Sequence, residues 1–257
     1  MLTPPEIARS LLAAGESKAR LPLGKMLLLA ILAGAYIALA GVGATAAAVT
    51  VESGSLAKLL SACVFPAGLS MVILAGSELF TGNCLMVMAL LERRITPAQL
   101  LRNWLTVYLG NAVGGAAVAA LAVYSHTASL FGDGLARSMV SIAESKTVLG
   151  FGDAFLRGVL CNFLVCLAVW MAAASKRAEG KVIALFFPIL LFVLCGYEHC
   201  IANLYYLPAG AFAAAEYGME TTLTLAGCLE NLAAVTLGNL VGGAALGVGY
   251  RFAYLKE

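Results

Sequence analysis

Gly76-Ser77-Glu78-Leu79-Phe80-Thr81-Gly82-Asn83 returns 120 residues later as Gly196-Tyr197-Glu198-His199-Cys200-Ile201-Ala202-Asn203, and both stretches read GxExxxxN. A second pattern, NxxxVxLGNxVGGA, occupies residues 103–116 and again 231–244, offset by 128. Two coincidences in the same order mark a chain built from two related halves. Each acid lies near the middle of an apolar run, residues 59–91 and 182–215, of more than 30 residues. A helix crosses a bilayer in roughly 20 residues, so neither run reads as one straight span. Glycines flank the acids (Gly76, Gly82, Gly196), and Pro66, Pro188 and Pro208 stand further off. These signals predict two helices that break at mid-membrane, where irregular backbone is tolerated only inside protein or along a wet cavity.

Four more runs, residues 26–49, 104–124, 154–175 and 231–250, are apolar over a span length, the third with one charge, Arg157. The composition agrees: 61% of residues are hydrophobic and 12% charged, about half the charged share of a soluble domain. The expected fold is therefore an all-α membrane protein of six transmembrane helices, with helices 2 and 5 broken. Residues 1–257 form one domain, divided into an amphipathic segment 1–21, a first repeat 22–130 and a second repeat 131–257. Three crossings per half force the second half to run opposite to the first, an inverted 3+3 repeat. That design places a pathway at the pseudo-two-fold axis near the midplane, with half-helix N-termini favouring an anion.

Pro4 and Pro5 followed by Ile7, Leu11 and Leu12 predict a short amphipathic helix at the membrane interface, and no signal peptide is read there. Twelve Lys and Arg fall on one side of the predicted spans (Arg9, Lys18, Arg20, Lys25, Arg93, Arg94, Arg102, Lys176, Arg177, Lys181, Arg251, Lys256) and four on the other (Lys58, Arg137, Lys146, Arg157). The excess puts both termini in the cytoplasm. A net charge of +2 gives no reason to expect a nucleic-acid partner. The seven cysteines form no CxxC pair and read as small buried hydrophobes, with no metal or cofactor expected. An intramembrane enzyme using Cys200 or Cys84 with His199 would lack a third orienting group.

An ionised side chain in hydrocarbon is costly, so Glu198 beside His199 is a functional signal. Neighbours face different ways, so one lines the pathway while the other braces the break by accepting backbone N–H bonds. Glu78 and Glu198 hold equivalent places and share a structural role, whereas His199 is matched by Leu79. The imidazole changes charge near neutrality, so as a cation or by transferring a proton it could remove the Born cost of a passing anion, which predicts proton-linked passage at His199. Otherwise it is a buried neutral ring satisfying a carbonyl. Thr81 offers a hydroxyl that donates and accepts. Lys146, expected in an outside loop, either concentrates anions at the mouth or is a solvated lysine. Asn111 and Asn239 are expected to bond between helices and hold the breaks; Gly110/Gly114 and Gly238/Gly242 read as close helix packing.

Residues 76–83 and 196–203, with Gly158-Val159-Leu160-Cys161-Asn162-Phe163-Leu164-Val165-Cys166-Leu167-Ala168-Val169-Trp170-Met171, resemble the signature stretches of the formate/nitrite transporter family, and the similarity runs from about Lys18 onward. The resemblance implies a homopentamer of aquaporin-like protomers in the cell (inner or plasma) membrane, each with its own pore for a small anion. It implies that His199 is the central histidine, Thr81 the loop threonine, and Asn162 and Asn203 the asparagines near the pore. The constriction would be Leu69, Leu79 and Phe192 on the cytoplasmic side, with Phe65 and Val165 on the other. Lys18 and Lys146 would be vestibule lysines, and the segment before Lys18 a gate. Formate or nitrite is the expected substrate, with hydrosulfide or a lactate-like acid as family alternatives. A neutral-solute channel for water or ammonia is the alternative of another class.

Overall fold

The computed structural model describes residues 1–255; Lys256, one of the twelve cations above, and Glu257 lie outside the described residues. Among the described residues every regular element is helical. The chain opens with α1 (Pro4–Ala19), started by Thr3, whose N–H donates to the Glu6 carboxylate at 2.7 Å. Its apolar side (Ile7, Ala8, Leu12, Gly15, Ala19) is buried on the protein itself. The expected interfacial helix is thus a docked one, with its greasy face covered by protein rather than lipid headgroups.

α2 (Leu23–Ala48) is the first membrane span. α3 (Gly54–Val64) and α4 (Pro66–Ala75) form a second span-length stretch, with the joint at Pro66, which has no N–H to continue the ladder. After α4 the chain breaks. Gly76 turns left-handed at φ 79°, and the Ser77 N–H reaches back to Val72 O at 2.9 Å. Helix resumes as α5 (Phe80–Asn83), a 3₁₀ turn (Cys84–Met86) and α6 (Val87–Leu91). α7 (Pro97–Tyr124) completes the half.

From residue 134 the helices follow in a similar order, although α10 and α11, at 17 residues each, are shorter than a span. α8 (Gly134–Thr147) leads to the span α9 (Phe151–Ala173). α10 (Ala178–Leu194) ends at a break where Gly196 has φ 69° and the Tyr197 N–H bonds Phe192 O at 3.0 Å. α11 (Cys200–Glu216) and α12 (Leu225–Tyr254) follow. Both breaks need a residue comfortable at positive φ, which glycine supplies without a Cβ clash.

α2 packs along α7, and α9 along α12. The GxxxG glycines set how close they come. A Cβ on Gly114 would stand 2.0 Å from Ile31 O, and one on Gly242 2.0 Å from Val159 O. The obstacle is backbone in both cases, so the helices themselves would have to part. Gly242→Ala is expected to lower stability by about 1–3 kcal/mol, read as a fall in the thermal midpoint in detergent. Gly249→Ala on the same helix meets nothing within 4 Å and should be neutral. Equal midpoints for the two variants would refute the close approach.

Candidate functional site

Two asparagines hold the breaks together. Asn111 Oδ1 accepts the Phe80 N–H at 3.0 Å, while Nδ2 donates to Ala30 O at 2.7 Å and Glu78 O at 2.9 Å. Asn239 does the same 128 residues later: Oδ1 accepts the Cys200 N–H at 2.9 Å, and Nδ2 donates to Gly158 O at 2.8 Å and Glu198 O at 2.9 Å. Each amide supplies one acceptor and two donors, enough to satisfy the first free N–H after a break and a carbonyl before it. The interhelical bonding expected of these residues is present in full.

The glutamates share a role, as their matching positions predict, and it is an ionic one. Neither carboxylate braces its break through backbone N–H groups. Glu78 accepts Lys18 Nζ at 2.7 Å and Asn83 Nδ2 at 2.8 Å. Glu198 accepts Lys146 Nζ at 3.0 Å on both oxygens and Asn203 Nδ2 at 2.7 Å. Asn83 and Asn203 in turn bond Asn103 at 2.9 Å and Asn231 at 2.8 Å. Buried carboxylates persist because a cation and an amide replace the water they lose. Lys146 corrects the loop expectation: it lies in the last turn of α8, as Lys18 lies in the last turn of α1. The two lysines are themselves 128 residues apart.

Each Lys–Glu pair lines a cavity, one of about 310 Å³ holding Lys18, Glu78 and Asn83, the other of about 270 Å³ holding Lys146, Glu198 and Asn203. Between them is a void of about 10 Å³, walled by Ile37, Phe65, Leu69, Leu79, Val165, Ile189, Phe192 and His199. That is room for one water at most. His199 is its sole polar wall residue. The five residues expected at the constriction all stand on this wall, but one faces the other way. Phe192 lines the Lys146 cavity together with Phe65, whose ring it meets edge-on at 5.7 Å. Only Leu69 and Leu79 extend to the Lys18 cavity. The cause is the α10 turn: Phe192 stacks at 5.8 Å on His199, which opens to the Lys146 mouth.

Both nitrogens of His199 are engaged. The Ala202 N–H donates to Nδ1 at 3.0 Å, so Nδ1 carries no proton, and Nε2–H of the neutral ring is left to donate to Thr81 Oγ1 at 3.0 Å. Of the two neighbours, it is thus the histidine that accepts a backbone N–H at the break. Thr81 and Asn162 line neither mouth nor the void; they stand behind the ring. Asn162 Nδ2 donates to Thr81 O at 3.2 Å and Asn239 O at 2.7 Å, tying the threonine to the brace. Asn203 does face the Lys146 mouth.

Where the halves differ is informative. His199 answers to Leu79, Thr81 to Ile201, and Asn162 to Gly34, where a Cβ would sit 2.1 Å from Asn111 O. These three departures from the repeat meet in one hydrogen-bonded chain, built on a symmetric frame. Two wall residues escape a reading of the sequence, Ile37 and Ile189. Applying the repeat offsets to Val165 and Leu69 would have found both.

Two half-spans broken over a narrow apolar constriction, opening at each end to a cavity that holds a Lys–Glu–Asn cluster, define a channel or transporter embedded in a membrane. The comparisons agree: residues 5–253 match the formate/nitrite transporter family, and the chain belongs to it. A probable formate transporter of Methanothermobacter thermautotrophicus is 38% identical over 99% of this chain and 98% of that protein. The formate channel FocA of Haemophilus influenzae is 39% identical over 86% of this chain and 83% of its own. Among solved structures, an FNT family ion channel superposes with TM-score 0.87 at 32% identity, covering 96% of this chain and 98% of that one. A pentameric formate channel with formate bound gives 0.80 at 33% identity, covering 91% and 98%. The protein is a multi-pass membrane protein of a transporter family, not an enzyme.

Proposed function

We propose that the chain is a channel for small monovalent weak-acid anions, formate first, and that it works as a homopentamer of protomers that each hold a pore. The observation that carries the reading is His199, the one polar group on an otherwise apolar constriction between two mouths that each hold a Lys–Glu–Asn cluster. The relatives named for formate, and the pentameric neighbour with formate bound, favour that substrate and assembly. Nitrite and hydrosulfide fit the same size and charge. The excess of Lys and Arg on the side of Lys18 supports a cytoplasmic placement of that mouth and of both termini. The equivalence of Lys18 with Lys146 supports reading α1 as the opening element of the first repeat, matched by α8.

An anion in either mouth exchanges hydration for contacts beside a Lys–Glu–Asn cluster. At the constriction it meets Nε2–H of His199, which can turn from Thr81 to the anion and exchange a neutral hydrogen bond for a charge-assisted one. Transfer of that proton to the anion leaves a neutral ring only if Nδ1 has first gained one. Gaining it means losing the Ala202 N–H bond and placing a charge on a buried ring, a cost that a neighbouring anion offsets. Passage as the neutral acid therefore requires the anion and the proton to reach His199 together. Ring orientation is the work of Thr81 and Asn162; selectivity by size is that of the apolar wall.

The test is a competitive uptake panel in proteoliposomes, with formate, nitrite, hydrosulfide and lactate across pH 5–8, and ammonia and water permeation alongside. Formate uptake that rises as pH falls, with nitrite competing, is the expected result. Water or ammonia flux without anion flux would instead establish a neutral-solute channel, in which the histidine only narrows the pore.

A further inference from the structure

Lys18 and Lys146, the cations expected to gather anions, each face a carboxylate, at 2.7 and 3.0 Å, so neither adds net charge to its mouth. Two other cations lie on the walls of the two mouths, Lys58 on α3 and Arg157 on α9. Both line the Lys146 cavity with Glu198 and His199, and neither enters an ion pair among the described residues. Lys58 lies within electrostatic reach of Lys146 and Arg157 at once. Arg157 is fixed at the level of the break, because its carbonyl accepts the Glu198 N–H at 3.4 Å. This wall thus carries three cations against one carboxylate, while the Lys18 wall carries one of each.

The imbalance is written into the repeat. By the offsets of 120 and 128, Lys58 corresponds to Ala178 and Arg157 to Leu29, so both cations are departures from the symmetric frame, as His199 is. A cation lining a concave, low-dielectric cavity concentrates counter-ions far more than one on a flat surface. We propose that Lys58 and Arg157 form an anion-recruiting site at the Lys146 mouth, which makes the pore saturate at lower anion concentration from that face than from the Lys18 face. The inference rests on the small-anion reading and adds to it the residues that set sidedness.

The test uses the full chain in planar bilayers with its orientation fixed by a protease-accessible tag. Formate is the probe, and half-saturation is measured from each face. In Lys58→Gln/Arg157→Gln the half-saturation concentration from the Lys146 face should rise roughly tenfold at low ionic strength, and from the Lys18 face by less than twofold. In about 0.5 M inert salt, where the Debye length falls to a few ångströms, the difference should collapse. Lys58→Arg/Arg157→Lys should restore it, which separates charge from fold. An unchanged half-saturation in a conducting double variant overturns the proposal. So does an effect seen in bilayers containing phosphatidylglycerol but absent in pure phosphatidylcholine, because the two cations would then be acting through net-anionic lipid headgroups. A wild-type chain that passes no small anion from either face fails the functional reading itself, and this inference with it.

Discussion

Asn239→Leu is expected to destabilise the protein by at least about 3 kcal/mol, more than most single substitutions. The side chain serves three backbone groups at once: the Cys200 N–H that opens α11, the Glu198 carbonyl inside the break, and the Gly158 carbonyl of α9. Side-chain hydrogen bonds between membrane helices average only about 0.6 kcal/mol when measured pairwise, which alone would give under 2 kcal/mol. The partners decide the larger figure. They are backbone groups, two of them at an interrupted helix, fully buried beside Asn239 at 0% exposure, with no water to replace the lost amide. Each orphan costs about 1–3 kcal/mol. Thermal unfolding in detergent reads the loss, and Asn111→Leu should lose a similar amount, since its three bonds are the same. A midpoint within a degree or two of wild type would mean that the breaks are held by something other than the asparagines.

What could be read from the sequence was whatever the duplication states twice. The breaks, the bracing asparagines and the close glycines each appear at a fixed offset, and their chemistry is local enough to infer. The Lys–Glu pairs were not read, although Lys18 and Lys146 share the 128 offset, because the pairing depends on how amphipathic helices outside the obvious spans fold back over the breaks. Their partners are 60 and 52 residues distant. Phe192 was assigned to the wrong mouth for a similar reason: near the end of α10, one turn of helix decides which side of the histidine a ring covers. Which of Glu198 and His199 braces the break was open in the sequence, because it turns on a single rotamer: an Nδ1 that faces the helix start accepts the Ala202 N–H. Gly34 and Asn162 belong to the most telling class. Their difference looks like divergence in the sequence and becomes meaningful only once Asn162 is found holding Thr81.

That contrast yields the second large effect. His199→Leu makes the constriction wall match Leu79 and leaves it wholly apolar. The fold has a precedent for the exchange: Leu79 starts α5 with no side-chain cap, whereas His199 starts α11 by accepting the Ala202 N–H. Stability should therefore fall by only about the 1 kcal/mol of one hydrogen bond, plus the orphaned Thr81 hydroxyl. Thr81→Ile in the same chain removes that orphan and copies Ile201, so the double variant should unfold no earlier than the single one. Flux is another matter. A hydrogen bond from a neutral donor to an ion is worth about 1.5–3 kcal/mol, and every 1.4 kcal/mol is a factor of ten. Formate flux in His199→Leu should fall ten- to hundredfold. What remains should follow pH between 5 and 8 only through the change in free formic acid, since the wall then holds no group able to pass a proton. Proteoliposome uptake at stepped pH measures both. Flux that keeps its magnitude and its pH dependence in a folded His199→Leu protein would show that the apolar wall alone passes the anion, and that the break in symmetry at residue 199 serves packing.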